Sequence, residues 1–245
     1  PQTKWFHSLH SETGEASPDR EVIGVYPFTF GLPPKGQGYE EAWRTILDPK
    51  LFWTKWPLAS VAKDSPAYAQ NGWPVGAGGS ICMWNGPSWP HANSLVLTGM
   101  ANSLRQSGEG VLKKADLFAL FKSFTEAQFK DGQTWTGEFY NGDTAEWKTG
   151  ERDYNHSTWL DPLIHDLLGI VPQPDGSVII DPLIPQSAWA WWALDGQHVR
   201  GHEISLAWDS VGGRVAKGLK GFAVYVDGRK VFSSNRIERT RLKLN

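Results

Sequence analysis

Leu167-Leu168-Gly169-Ile170-Val171-Pro172-Gln173-Pro174-Asp175-Gly176-Ser177-Val178-Ile179-Ile180 is the stretch on which the reading of the fold turns. Before it, apolar residues recur at helical steps, and Gly169 stands where a helix stops. After Pro172, Pro174 and Asp175-Gly176 the pattern becomes that of strands, with Ser177 to Ile184 the first. The stretch therefore predicts helices first and strands after, with residues 1–172 and 173–245 as separate domains.

Working back from it, Trp159, Leu160, Leu163, Ile164, Leu167 and Leu168 predict a helix from near Ser157 to Leu168. Pro162 interrupts that pattern unless Asp161 caps the helix and Pro162 takes its first position. Leu117, Phe118, Phe121 and Phe124 predict a helix from about Leu112 to Phe129. Leu95, Leu97, Met100, Ala101 and Leu104 predict a buried one that starts near Ala92 and stops at Gly108. Residues 1 to about 90 are rich in breakers, with only the region near Tyr39 to Leu47 looking helical; they read as loops that shape a cleft. Working forward, Glu203 to Trp208 alternates with period two. Ala223 to Phe232, with Asp227-Gly228 at its middle, reads as a hairpin closed by a type I′ turn.

The chain has 245 residues, 40% hydrophobic and 20% charged, with a formal net charge of −2. That balance is of a globular protein, and no basic stripe favours nucleic acid or an anionic membrane surface. No apolar run is long enough to span a bilayer. The lone Cys82 allows no internal disulfide and fixes no compartment, and the seven histidines lie at no zinc spacing.

The unusual count is 14 tryptophans. Trp often serves only to pack a core. Many here sit among Gly, Pro, Asn and Ser, however, where a ring is available to a ligand and can stack on the apolar face of a sugar. Three segments combine such rings with polar groups. Cys82 to Pro90 places Trp84, Asn85 and Trp89 in a rigid loop at a helix start, which could equally be an interface filler. Thr136 to Thr144 holds Glu138 among aromatic and small residues. Glycosidic cleavage needs two carboxyl groups, one acid and one base or nucleophile, yet one loop Glu by itself is a weak sign. Arg152 to Ser157 offers Tyr154, Asn155 and His156 as ligand-lining groups or, alternatively, a helix cap.

In order, Trp-Asn-Gly-Pro-Ser-Trp-Pro at 84–90, Glu-Phe-Tyr at 138–140 and Tyr-Asn-His-Ser-Thr at 154–158 resemble the mannosylglycerate-hydrolase-like glycosidases. These form a branch of the six-hairpin superfamily related to glycoside hydrolase family 63. Arg20-Glu21 before Tyr26-Pro27-Phe28, and Asp181 to Pro185 after Leu167-Leu168-Gly169, resemble the same branch. The resemblance implies a mainly α fold with a β tail: the second half of an (α/α)6 toroid, then a small antiparallel β domain. It implies hydrolysis of a terminal glycosidic bond of an oligosaccharide or glycoside with inversion. By position Glu138 matches the general base; Arg20, Glu21, Trp84, Asn85, Trp89, Tyr154, Asn155 and His156 match residues lining the substrate pocket.

The family's general acid is an Asp from the first half of the toroid. No residue here matches it, although Asp19, Asp48 and Asp64 are available. The chain is therefore expected to begin mid-barrel, with the acid upstream of Pro1, and not to cut alone. Two carboxyls and water suffice, so no metal or organic cofactor is expected. The competing readings are a non-catalytic carbohydrate-binding protein derived from such a barrel, and an epimerase or lyase using His156. Trp189, Trp191, Trp192 and Trp208 are expected to pack the β region onto the helices.

Overall fold

A computed structural model describes residues 4–70, 84–148, 152–154 and 158–244. The chain divides into two compact units, Pro1–Pro162 and Leu163–Asn245.

In the first unit, two short helices, α1 (Tyr26–Thr29) and α2 (Ala42–Leu47), each follow a 3₁₀ turn and pack near the long α3 (Pro90–Ser107). Pro90 occupies the start of α3, where its missing N–H costs nothing, and Gly108 ends it at φ 76°. Val96, Leu97, Met100 and Ala101 are buried along it. Gly99 lets the chain at Phe28-Thr29 approach closely, since an added Cβ would lie 3.3 Å from both. Polar groups on α3 bind its neighbours: Trp43 donates to Ser103, and Asn102 to the Thr29 carbonyl. α4 (Lys114–Glu126) begins with the Asp116 carboxylate accepting from the Lys113 amide at 2.9 Å, and buries Leu117, Leu120, Phe121 and Phe124.

Two minimal hairpins follow: β1 (Phe129–Lys130) with β2 (Gln133–Thr134), and β3 (Tyr140–Asn141) with β4 (Glu146–Trp147). Single antiparallel bridges link Glu21 to Val61, Ala59 to Ser88, and Ser88 to Tyr140; a parallel one joins Thr136 to Asp153. Breaker-rich sequence that cannot sustain helix is thereby tied together edge to edge.

A wide turn over Pro162–Leu167, in which the Leu168 amide reaches the Leu163 carbonyl, leads into the second unit. Pro162 has no N–H to donate, so the expected long helix is reduced to Leu160–Asp161 and this π turn. Thereafter β5 (Ile170–Pro172), β6 (Ser177–Ile180) and β11 (Thr240–Lys243) form a sheet in the order β11-β6-β5. A larger sheet is built from β7 (Trp191–Val199), β8 (His202–Asp209), β9 (Gly221–Val226) and β10 (Arg229–Ser234), in the order β10-β9-β8-β7. Asp227 and Gly228 close β9-β10 with φ 50° and 74°, as a type I′ turn requires. Ile204, Leu206, Trp208, Phe222 and Val224 are buried on one face of this sheet.

The chain is thus not mainly α, and the partial (α/α)6 toroid with a β tail is corrected. Helix and strand each account for about a quarter of it, with four antiparallel sheets among the described residues. Two causes are local: Gly and Pro divide residues 4–70 into turns, and Pro162 removes a helix. A third is β7, the longest strand, whose Asp195-Gly196 interrupts the alternation. The register shifts there, between Leu194 and Gln197, as a β-bulge. Trp192 and Trp208 are buried in the second unit, but Trp189 and Trp191 are exposed. Among the described residues no helix is long and apolar enough to cross a membrane.

Candidate functional site

Three aromatic rings form a continuous stack in the first unit. The Trp84 indole lies 4.2 Å from that of Trp89, 11° from parallel, and Trp89 in turn stacks on Phe139 at 4.6 Å. Trp89 and Phe139 are 1% exposed, whereas Trp84 is 42% exposed. Trp84 is therefore the ring that meets solvent, and Trp89 is its backing.

The loop carrying both tryptophans is held from three sides. Ser88 exchanges backbone hydrogen bonds with Tyr140 at 2.8 and 3.0 Å. Asn93, buried in α3, accepts from the Leu58 amide at 2.6 Å and donates to Ser88 Oγ and the Trp89 carbonyl at 2.9 Å each. All of its polar atoms are engaged, as burial demands. Gly86 passes so close to Ala69 that an added Cβ would lie 2.7 Å from that backbone. Asn85 donates to the Ala67 carbonyl at 2.9 Å, while its own carbonyl accepts from the Ala69 amide at 2.8 Å. Its buried Oδ1 has no partner among the described residues.

Glu138 sits half-buried at a bend between two anchored neighbours. Gly137 lies against the Trp147 ring so tightly that a Cβ would overlap it. Phe139 forms the base of the aromatic stack. Beyond it Tyr140 is wholly buried, edge-on to Trp56 and Trp147, and burial pushes its phenol well above the ordinary value. Such packing on both sides limits where the Glu138 side chain can go.

Tyr154 is exposed, on the segment whose Asp153 bridges Thr136; the Thr136 amide donates to the Arg152 carbonyl at 2.8 Å. The segment thus runs beside the stretch of chain leading to Glu138. Asn155 and His156 lie outside the described residues. Arg20 pairs with Asp64, and Ser65 donates to Asp19 at 2.6 Å, on the wall of an open cavity of about 480 Å³ that Ala67 also lines. Arg20 lines this cavity, and Asn85 is bonded to Ala67, which lines it too. Glu21 bridges Val61 and its carboxylate accepts from Ser8. Asp48 caps the amide of Lys50 at 2.8 Å.

Sequence reasoning passed over Asn93, although a polar residue inside an apolar helical stripe is itself a signal. It also passed over a group around Asp143. That carboxylate accepts from Lys63 at 3.2 Å and from the Tyr68 hydroxyl at 3.0 Å. Gln70 donates to Tyr68 and accepts from the Gly142 amide. Burial, with Asp143 adding to it against Gln70, raises the Tyr68 phenol to about 12. The partners lie 72 to 80 residues apart, so no local pattern announces them.

The site thus combines a solvent-facing indole, stacked through Trp89 on Phe139, with a half-buried carboxylate on the residue before Phe139. The chain belongs to the mannosylglycerate hydrolase MGH1-like glycoside hydrolase domain family, whose model matches residues 1–157. Over 98% of its length it is similar, at 30% identity and a TM-score of 0.88, to a solved structure named as a sialidase. It spans 22% of that protein. A GH63 mannosylglycerate hydrolase from Thermus thermophilus, solved with glucose, is 22% identical over 66% of this chain and 35% of its own, with a TM-score of 0.46. An uncharacterized conserved protein of the same organism matches at 21% identity, the same shares and the same TM-score. No curated protein matches.

Proposed function

We propose that this chain supplies the base side of an inverting glycosidase site, acting on a terminal sugar of an oligosaccharide or glycoside. Trp84 is the platform for the apolar face of the sugar ring. Glu138 is the general base that takes a proton from water as its oxygen attacks the anomeric carbon from the face opposite the leaving group. Inversion of this kind uses two carboxyl groups about 6.5–9.5 Å apart, the second protonating the departing oxygen. That second group is assigned to no residue of this chain: Asp64 is paired with Arg20, and Asp19 is engaged by Ser65.

The observation that carries the reading is the single-residue step from Glu138 to Phe139, on which the Trp84–Trp89 stack rests. A sugar lying on Trp84 then sits on the stack whose base is the residue next to the carboxylate. Asn85, Tyr154, Arg20 and Glu21 surround it as hydrogen-bonding groups, with Asn155 and His156 assigned to the same pocket. Trp89 contributes from beneath, by fixing Trp84.

Glu138→Gln in the intact protein is expected to lower turnover by several orders of magnitude while leaving affinity for the glycoside within a few-fold. Retained turnover would remove Glu138 from the role of base. Proton NMR of the first-formed anomer tests inversion separately: the product anomer should be opposite to that of the substrate.

A further inference from the structure

The second unit carries a groove that the reading above does not use. On β8 the side chains alternate strictly, with Ile204, Leu206 and Trp208 buried on one face and Glu203, Ser205 and Ala207 on the other. Across the strands of this other face, Ala193, Ala207 and Ala223 stand side by side. At the exposed Ala193 end of this row the small side chains leave a trough. One wall is the loop after β8, whose Leu219 and Val215 pack over Ala207 and Ala223. That loop is folded back by the buried Asp209 carboxylate, which accepts from the amides of Val211, Gly212, Arg214 and Val215.

The open end of the trough is polar and shaped in advance. The bulge at Asp195-Gly196 turns Asp195 toward Ser205, which donates to its Oδ1 at 2.7 Å and accepts from the Gly196 amide at 3.1 Å. Tyr225, half-buried, is the cross-strand neighbour of Ser205, and Glu203 lies on the same face. The cavity so enclosed measures about 400 Å³, within the roughly 300–1,000 Å³ usual for small-ligand sites. Its lining has two carboxylates and no cation. Among the described residues no donor is bonded to the Glu203 carboxylate, and Ser205 alone engages that of Asp195.

We propose that this groove is a second carbohydrate site, selective for a neutral over an acidic sugar. Hydroxyl groups would donate charge-assisted hydrogen bonds to Asp195 and Glu203, while the C–H face of the ring lies against Ala193, Leu219 and Tyr225. A phosphate or a sugar acid is repelled by the same two carboxylates. The proposal rests on the chain's glycoside hydrolase family and not on the role of Glu138.

The test is titration of the ¹⁵N-labelled chain, residues 1–245, with methyl α-D-mannopyranoside, methyl α-D-glucopyranoside and methyl β-D-galactopyranoside, followed by amide NMR. Glucuronic acid serves as the charged probe. At least one neutral glycoside should shift the amides of Ser205, Leu219 and Tyr225. Affinity at these amides should fall at least tenfold in Tyr225→Ala and in the surface variant Glu203→Gln, while Trp84→Ala leaves it unchanged. Shifts confined to residues near Trp84 and Glu138 would overturn the second site and leave the first standing. Absence of any shift in the groove, or tighter binding there of glucuronic acid than of every neutral glycoside, would also overturn it.

Discussion

The indoles of Trp84 and Trp89 lie face to face at 4.2 Å, yet one is 42% exposed and the other 1%. The pair divides two tasks that a single ring cannot perform together. A ring that contacts a sugar must keep one face in solvent until the ligand arrives, and a ring that holds its place must be packed on all sides. The two variants should therefore separate. Trp89→Ala removes a wholly buried ring and is expected to cost about 3–5 kcal/mol in urea unfolding. Trp84→Ala should cost about 1 kcal/mol, the contribution of one stacked pair, while weakening sugar binding at least tenfold. Equal effects on stability would contradict the division.

Asn93 is the second point of control over that loop. Asn93→Ala leaves the Leu58 amide and the Ser88 hydroxyl without their buried partner, at an expected cost of about 1–3 kcal/mol. Equilibrium unfolding measures the cost. Glycoside affinity should fall as well, because the released loop is the one that presents Trp84.

At Gly137 the constraint is steric. A methyl group there overlaps the Trp147 ring, and Trp147 is itself wedged against Tyr140 and Trp56. Gly137→Ala is expected to destabilise the chain by about 1–3 kcal/mol through overpacking and to displace Glu138, the next residue. Unfolding midpoints that match those of the parent protein would show that the Trp147 ring gives way freely.

Acid should act on the second unit through its aspartates. Burial alone would raise the Asp209 carboxyl, but the amides of Gly212, Arg214, Val215 and Val211 outweigh it and hold it below the ordinary carboxylate value. Asp175, bonded by Ser177 and facing Arg241, and Asp227, bonded by the Glu203 amide and His202, are lowered too. With folded values depressed, the unfolded chain binds more protons between the two, so stability rises with pH there. The contribution is fully present above about pH 4, the ordinary Asp value, and is lost as pH falls through the folded values. A thermal melt series of the parent and Asp209→Asn should show a gap that is constant near neutrality and narrows below about pH 4. A gap that widens on acidification would reverse the sign of the argument.

The parts legible in the sequence share a physical origin in local chemistry. Pro90 and Gly108 mark the ends of α3, and Asp227-Gly228 marks the β9-β10 hairpin, because cap and turn preferences depend on a few adjacent residues. The motif Trp-Asn-Gly-Pro-Ser-Trp-Pro points to the family that the model match confirms over residues 1–157. Pro162 illustrates the opposite case. Its place inside an apolar helical period was visible, but the outcome, a single wide turn in place of a helix, depended on how the chain satisfied its carbonyls.

β7 was hidden for a related reason. A bulge at Asp195-Gly196 reads locally as a turn, and only pairing with β8 makes it part of a nine-residue strand. The groove beside it is lined by residues of β7, β8, β9 and the loop after β8, which no window of sequence contains.

From the amino-acid sequence alone came the residue types able to bind and cut a glycosidic bond, the family, and the helix ends and turns that local preference dictates. Tertiary structure decided the balance of helix and sheet, and which of Trp84 and Trp89 faces solvent. It also set Phe139, the residue after Glu138, beneath them. These are properties of packing between segments far apart in the chain, and burial is decided only when those segments meet.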